Sequence, residues 1–263
     1  MSFKTDLAIV NRSFWPSNQI IGEALLQFAE RSVETHSVCI ITQAHGDLRA
    51  ALREASRGGK VQVCASNART TSASRLVLRM VEALIFMLWV FFCLIRTRPK
   101  KVYVSTDPPI VVPFIVAIYC WVARARYVYH LQDIHPEAAN IVMPLNSVVF
   151  NILRWLDCFT LRHADHIITL SATMRDFILA RSRTSASITL IDNPAVVAMP
   201  GTERNGDIVF CGNAGRLQRI PLLIAAIREY VETGGKMQFT FAGGGIHAHY
   251  LRVVAECVTL VSF

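Results

Sequence analysis

The sequence has little charge, and acidic residues are especially few. Only 17% of its 263 residues are charged, with 19 Asp and Glu against 27 Lys and Arg, whereas 52% are apolar. This composition excludes a disordered chain, a collagen-like repeat and a mostly solvated coiled coil. The seven cysteines include no C-x-x-C pair. We therefore expect neither a disulfide scaffold nor a zinc module, and a reducing, cytosolic compartment.

Long apolar runs are also missing. The longest uninterrupted run, Ala83 to Ile95, has thirteen residues, whereas a membrane-spanning helix needs about 20. Extending the run to Leu76 would place Arg79 and Glu82 in the span. No secretory signal peptide is expected, because the chain runs directly into a strand-like segment. The sequence favours a soluble or peripheral protein.

Short β-branched runs alternate with longer helical segments through the first 200 residues. The runs are apolar on both faces, as in a parallel sheet covered by helices. Helical periodicity is clear over residues 145–163, 22–33 and 172–181. This alternation predicts an α/β fold with a doubly wound sheet of seven strands, at residues 7–10, 38–42, 61–64, 102–105, 127–131, 166–170 and 188–191.

A second unit is predicted to follow a linker rich in Pro, Gly and charge at residues 198–207. After it, strands are expected at 208–211, 238–242 and 258–263, and helices at 221–233 and 249–256. The predicted domains are residues 1–200 and 205–263. A three-stranded unit leaves an unpaired edge, so we expect the second domain to be incomplete or completed by another chain. Two such units predict a ligand at the carboxyl ends of their strands, in a cleft between them.

The turn after the first strand of the second unit is a candidate phosphate site. Gly212 and Gly215 let the backbone pass close to a ligand, Asn213 lies between them, and Arg216 offers a bidentate contact. A helix start beyond it would add free N–H groups and a positive dipole end. The alternative is an ordinary turn.

A second polar cluster follows the strand at residues 127–131. His130, Asp133, His135 and Glu137 place four ionisable groups within eight residues, at the strand end where such sheets carry their chemistry. The alternative is a polar loop in which Asp133 or Glu137 caps a helix.

The apolar helix near residues 75–96 is bordered by basic residues. It has no polar face through its middle, so packing against a sheet alone would leave apolar surface exposed. Insertion into one membrane leaflet would cover that surface, with Lys and Arg meeting anionic headgroups. The alternative is burial between the sheet and its neighbours. The basic border consists of Arg69, Arg75, Arg79, Arg96, Arg98, Lys100 and Lys101.

For several other features, no binding or catalytic role is expected. The turn at residues 106–109 is expected to end a strand and start a helix at Ile110. The pairs His163/His166 and His247/His249 lack a third ligand at a plausible spacing, so no metal site is predicted. Neither unit opens with G-x-G-x-x-G and a later acidic residue, which disfavours a nicotinamide-dependent oxidoreductase. Nucleic-acid binding is not expected, because the basic residues border an apolar helix.

Five motifs in order resemble the retaining glycosyltransferases of family 4, which have the GT-B fold of two facing Rossmann-like domains. The resemblance runs from Asn11 to Phe263. Within the family, the chain resembles a subgroup that builds bacterial exopolysaccharides and O-antigens. Residues 11–24 look like the acceptor-side loop, and residues 129–137 look like the strand-end acidic motif. Residues 188–194 look like the end of the first domain. Residues 209–218 look like the donor-phosphate loop, and residues 241–245 look like a second glycine turn.

The resemblance implies transfer of a sugar from a nucleotide-diphosphate sugar to a lipid-linked or polysaccharide acceptor, with retention and without a metal or other cofactor. It implies a cytoplasmic enzyme, peripheral at the inner face of the cell membrane. By resemblance, Gly212, Asn213, Gly215 and Arg216 would bind the donor phosphates, and Gly22 would belong to the acceptor-side loop. Catalytic roles would fall to residues at the strand end: Asp133, Glu137 and His130.

The sequence departs from the family pattern in several respects, two of which concern the first loop and the end of the chain. The usual glycine pair of the first loop is Ile21-Gly22 here, and the E-x7-E segment that holds the donor sugar is absent before Phe263. We therefore expect a C-terminally truncated chain. The alternative function is a non-catalytic remnant, or a partner-dependent subunit that retains the acceptor domain.

Overall fold

The computed structural model describes residues 4–70, 76–194, 208–215, 218–257 and 261–262. The chain divides into two compact units. Unit 1 comprises residues 1–140 and 145–196, and unit 2 comprises residues 141–144 and 197–263. The predicted linker at 198–207 lies outside the described residues.

Unit 1 is built on a sheet of seven parallel strands in the order β3-β2-β1-β4-β5-β6-β7. From β1 the chain first builds the sheet outward through β2 to β3. It then returns to place β4 on the other side of β1 and continues outward to β7. This change of direction beside β1 is the topology of a Rossmann-like fold. The strands are β1 Leu7–Ser13, β2 Val38–Ala44, β3 Gln62–Asn67, β4 Lys101–Ser105, β5 Arg126–Leu131, β6 His166–Thr169 and β7 Ser187–Leu190.

Helices connect these strands and cover both faces of the sheet. Alternate residues of β1 separate into two cores: Ala8 and Val10 pack with one set of helices, and Ile9 packs with the other. This separation follows from the two-residue period of a strand. The helices are α1 Ile21–Ser32, α2 Leu48–Glu54, α3 Leu76–Thr97, α4 Val111–Ala123, α5 Glu137–Val142, α6 Ser147–His163 and α7 Ala172–Ser182.

Unit 2 has a parallel sheet of its own in the order β10-β9-β8. Its core is formed by apolar residues of two helices packed on Phe239 and Phe241. The elements are β8 Ile208–Cys211, α8 Ile220–Glu232, β9 Phe239–Ala242, α9 Ala248–Cys257 and β10 Val261–Ser262.

The predicted α/β class and the seven parallel strands of the first unit are confirmed. The strands differ from the predicted bounds by at most three residues, the largest changes being the extensions of β1 from Val10 to Ser13 and of β3 from Cys64 to Asn67. The sequence analysis missed the short helices α2 and α5, whose seven and six residues give too few turns for a periodicity.

Helix α3 is buried along one face and exposed over most of its remaining surface. Phe86, Val90 and Leu94 are fully buried against the sheet and α4. Val77, Leu84 and Leu88 are 49–69% exposed. By length and composition, residues 77–97 are apolar enough to cross a membrane. The uninterrupted apolar run within them, Ala83 to Ile95, has only thirteen residues and is by itself too short for that. Burial of the helix therefore covers only one of its two apolar faces.

Candidate functional site

His130 lies in β5, one residue before its end, and is 9% exposed. The Tyr103 hydroxyl is hydrogen-bonded to its Nδ1, and the two rings meet edge to face. Among the described residues, no hydrogen-bond partner faces its Nε2. Burial lowers the pKa of His130 to about 4, so the imidazole is neutral near pH 7. His130 is therefore a buried, neutral ring whose Nε2 has no hydrogen-bond partner among the described residues.

Asp133 is exposed in the loop between β5 and α5. On one side of it, Gln132 Nε2 donates to Asn193 Oδ1 at 3.1 Å. On the other side, His135 is half-buried, and burial lowers its pKa while the Asp133 and Glu137 carboxylates act in the opposite direction. The loop thus offers one exposed carboxylate at the carboxyl edge of the sheet.

Glu137 is held by a buried arginine. It begins α5, and its Oε2 accepts from Arg181 Nη1 at 2.6 Å. The same nitrogen donates to the His135 carbonyl oxygen at 2.9 Å. Arg181 Nη2 also forms an ion pair with Asp157 of α6, and both of these side chains are 1% exposed. In this structure Glu137 anchors the loop to α6 and α7.

Tyr129 completes this network from β5. Its hydroxyl donates to Asp157 Oδ1 at 3.2 Å. Burial raises the pKa of Asp157 to about 6, although the Arg181 charge and the Tyr129 hydrogen bond act in the opposite direction. The sequence analysis missed this network because its members come from β5, α6 and α7. The one available signal was an aspartate on the otherwise apolar face of α6.

Gly22 is required by a close backbone approach. It is the second residue of α1, and a Cβ placed on it would lie 2.6 Å from the Trp15 nitrogen and 2.7 Å from the Phe14 carbonyl carbon. The loop after β1 therefore packs directly on the first turn of α1. Asn18 caps that turn, since its Oδ1 accepts from the Ile20 and Ile21 N–H groups at 3.1 and 3.0 Å.

Asp107 joins the loops that follow β1 and β4. Its Oδ2 accepts from the Ser13 N–H at 2.8 Å, and its carbonyl oxygen accepts from the Arg12 N–H at 2.9 Å. An ion pair to Arg12 Nε at 3.2 Å adds to these bonds. The turn at residues 106–109 ends β4 as expected, and α4 begins at Val111, one residue after the expected Ile110.

A cavity of about 1040 Å³ opens at the carboxyl ends of β1 and β2. Because β1, β4 and β5 are neighbours in the sheet, the loops that carry Gly22, Asp107 and Asp133 all leave the same edge. The cavity is lined by charged and polar side chains together with Phe14 and Ile20; the charged ones are Arg12, Arg79 and Glu82.

The two glycine turns of unit 2 pack tightly against each other. They follow the adjacent strands β8 and β9, and Gly212 N–H donates to the Ala242 carbonyl at 2.9 Å. A Cβ on Gly243 would lie 2.0 Å from the Gly212 carbonyl oxygen, and one on Gly245 would lie 2.4 Å from Asn213 Oδ1. With φ angles of +145° and +135°, both positions also favour glycine.

This packing uses some of the N–H groups of the predicted phosphate turn. Gly212 N–H is taken by Ala242, and Ala214 N–H donates to the Gly244 carbonyl at 2.7 Å. In the described part of unit 2, no acceptor faces the N–H groups of Asn213 and Gly215. Helix α8 begins only at Ile220, so its free N–H groups are not those of the turn. Arg216 lies outside the described residues.

The histidine pairs make local contacts. His163 Nδ1 is hydrogen-bonded to the Phe159 carbonyl at 2.8 Å, and His166 contacts the hydroxyls of Ser187 and Thr189. His249 Nδ1 is hydrogen-bonded to the Ile246 carbonyl at 3.1 Å. Within the described residues, no three His, Cys, Asp or Glu side chains form a group able to hold a metal ion.

Comparison with known families decides the class of the protein. The model of the glycosyl transferase 4-like domain matches residues 21–194. These residues include every strand of the unit 1 sheet except β1. The chain belongs to this glycosyltransferase family. The expected membership of a family-4-like glycosyltransferase family is thereby confirmed. A comparison with curated protein sequences found no match.

Solved glycosyltransferases of the GT-B fold share the architecture of this family member. Anabaena Alr3699/HepE, solved with UDP and with UDP-glucose, is 14% identical at a TM-score of 0.60, covering 98% of this chain and 68% of that one. TarM is 7% identical at 0.59, covering 98% and 76%. Arabidopsis thaliana UGT89C1, solved with UDP-L-rhamnose, is 10% identical at 0.53, covering 92% and 65%. At these identities the likeness shows the fold alone.

Proposed function

We propose that this glycosyltransferase family member transfers a sugar from a nucleotide-diphosphate sugar to a hydroxyl of a lipid-linked or glycan acceptor in cell-surface polysaccharide synthesis, with retention at the anomeric carbon. The observation that carries the proposal is the family match over residues 21–194, joined to a glycine turn at the carboxyl end of β8 in unit 2. Complexes of Alr3699/HepE and UGT89C1 with UDP or UDP-sugars support the choice of donor.

The donor diphosphate is assigned to the turn Gly212–Gly215. Negative charge develops on the leaving diphosphate, and fixed N–H dipoles and cations stabilise it without reorganisation. Within the described residues, the N–H groups of Asn213 and Gly215 are the two in this turn that have no acceptor. Arg216 follows them in sequence and would add a charge-assisted, bidentate contact. With these groups on the leaving oxygens, the proposed transfer uses no metal.

The acceptor is assigned to the carboxyl edge of the unit 1 sheet. Gly22 lets the loop after β1 lie on α1 and so shapes the cavity of about 1040 Å³ beside it. Asp133 is the exposed carboxylate that would orient a hydroxyl, and the neutral His130 can accept or donate one hydrogen bond through Nε2. Glu137, bonded to Arg181, would act by holding the Asp133 loop in place.

Calorimetric titration with UDP and UDP-glucose tests the donor site. We expect binding, and a loss of affinity of roughly 10- to 100-fold in Arg216→Ala, as for removal of one charged phosphate contact. Arg228→Ala on α8 is the matched control and should bind as the parent does. If no nucleoside diphosphate or its sugar binds, the proposed donor is wrong; equal binding by both variants would remove Arg216 from the site.

We also place the protein in the cytoplasm, peripheral at the inner face of the cell membrane. The exposed face of α3 supports this location, because Leu84, Leu88 and Phe92 are 49–62% exposed. Arg96 and Arg98 lie near the C-terminal end of the helix and would meet anionic headgroups. An apolar helix face bordered by cations is typical of proteins that insert into one leaflet.

Flotation with lipid vesicles tests the location. The protein should float with vesicles that contain phosphatidylglycerol and less with phosphatidylcholine alone. Leu84→Glu with Leu88→Glu should abolish flotation and leave the circular dichroism spectrum unchanged. Leu222→Glu, at an equally exposed position of unit 2, is the control. Flotation retained by the double variant would exclude α3 as the contact.

A further inference from the structure

Three thiols meet at the edge of the unit 1 sheet, away from the carboxyl-edge loops. Cys39 of β2 and Cys64 of the edge strand β3 place their sulfur atoms 3.6 Å apart. Cys93 of α3 lies beside Cys64 on the same side of the sheet. Cys39 and Cys93 are almost fully buried, whereas Cys64 is partly exposed. Only the middle thiol of the three is open to a reagent.

Cys64 lines two cavities, of about 560 and 600 Å³, that open along β3 between α2 and α3. Arg49 and Arg96 line both cavities as well. Arg49 is fixed beside the cysteine, because its Nη2 donates to the Val63 carbonyl oxygen at 2.6 Å. A small anionic molecule in this groove would therefore meet two guanidinium groups beside an accessible sulfur.

We propose that Cys64 is a reactive thiol that forms mixed disulfides with small disulfides bearing carboxylate groups. The Cys64 thiolate attacks one sulfur of the reagent, its S–S bond breaks, and the other half leaves as a thiolate. The reagent supplies the oxidising equivalents, so no further reactant is needed. The guanidinium groups of Arg49 and Arg96 attract the carboxylates of the reagent and the charge of the attacking sulfur.

The electrostatics of the cluster agree with this role. The thiols of Cys39 and Cys93 act as hydrogen-bond donors to Cys64 and lower its pKa, and the Arg49 and Arg96 charges lower it further. The pKa values of Cys39 and Cys93 are raised, first by the same interaction with Cys64 and then by burial. Of the three thiols, Cys64 is therefore the one that loses its proton most readily.

The geometry disfavours a disulfide between Cys39 and Cys64. Cys39 pairs with Gln62, so Cys64 lies two residues further along the neighbouring strand. Strand spacing and rise put the two Cα atoms roughly 8 Å apart, beyond the reach of an unstrained disulfide. These two strand cysteines are thus not placed to form a disulfide with each other.

Reaction of the native chain with 5,5′-dithiobis(2-nitrobenzoate), a dianionic disulfide, tests the proposal. Cys211, also exposed, is the internal comparison, and peptide mass mapping assigns each labelled residue. An ordinary thiol slows about 100-fold between about pH 8 and pH 6. We expect the Cys64 rate constant to fall clearly less than that over the same range, because its lowered pKa keeps more of the sulfur as thiolate near pH 6. The fast phase should vanish in Cys64→Ser and persist in Cys211→Ser.

The role of the arginines is tested with Arg49→Gln. This variant should react several-fold more slowly with the dianionic reagent than the parent does, while its rate with the uncharged 2,2′-dipyridyl disulfide changes less. Arg31→Gln, at the end of α1, is the control. A Cys64 that stays unlabelled while Cys211 reacts, or a Cys64 rate that falls about 100-fold like that of an ordinary thiol, would overturn the proposal.

Discussion

Replacement of Arg181 by Met tests whether a buried ion network holds the strand-end loop. Arg181 links Glu137 and the His135 carbonyl to Asp157, and its side chain is 1% exposed. Met has a similar length and no charge, so the variant removes the ion pairs and little of the packing. It leaves the Asp157 carboxyl buried, with Tyr129 as its remaining partner.

The expected cost is large because both charges are buried. Breaking a buried ion pair by removing one partner destabilises a protein by about 3–5 kcal/mol. Burial already raises the pKa of Asp157 to about 6, and loss of the Arg181 charge should raise it further. A carboxyl whose pKa is raised on folding stabilises the protein below its unfolded pKa and loses that contribution as pH rises through the folded pKa. The deficit of the variant should therefore be smaller near pH 5 than near pH 8.

Urea unfolding of the full chain measures this cost. We expect the midpoint of the transition that includes unit 1 to fall by on the order of 1–2 M near pH 8. Arg175→Met is the matched control on the same helix. Its ion pair to Asp176 is exposed, so its effect should stay within about 0.5 kcal/mol. A loss below about 1 kcal/mol in Arg181→Met, or a deficit that grows towards low pH, would refute the reasoning.

Three further predictions follow from single contacts. Gly22→Ala places a Cβ 2.6 Å from the Trp15 nitrogen, so unfolding should require about 1–3 kcal/mol less, as measured by thermal melting. His130→Gln should flatten the stability profile between about pH 6.5 and pH 4, because burial lowers the His130 pKa to about 4 and protonation favours the unfolded chain; an unchanged profile would contradict this assignment. Gly243→Ala should displace the Gly212 turn and reduce calorimetric binding of UDP, whereas Gly244→Ala, with open space around it, should not.

Most of the fold could be predicted because local and global signals agree. Each strand of unit 1 is a short β-branched run, and parallel strands buried on both faces leave that pattern in the sequence. The alternation of strands and helices indicates right-handed crossovers and a doubly wound sheet, whereas the strand order comes from the structure. Helices α2 and α5 were missed because their seven and six residues make only about two turns each, too few for a helical periodicity to show.

The candidate site was predictable only in part. The loop at residues 130–137 was found because ionisable groups are rare in this chain and these follow a strand. The role of Glu137 as a loop anchor depends on Arg181, which lies 44 residues later in the chain. Likewise, no sequence pattern shows that the Gly212 and Ala214 N–H groups bond to Ala242 at the end of β9 and to Gly244 in the turn after it. Such contacts are set by tertiary packing.

The central claim is that the glycine turn after β8 binds a diphosphate through backbone N–H groups. Hydrogen–deuterium exchange of peptides covering residues 209–218, with and without saturating UDP-glucose, measures those groups directly. Bound nucleotide should slow exchange at Asn213 and Gly215, whose N–H groups have no acceptor within the described residues. Binding of UDP-glucose with unchanged exchange in these peptides, and protection elsewhere in the chain, would contradict the account.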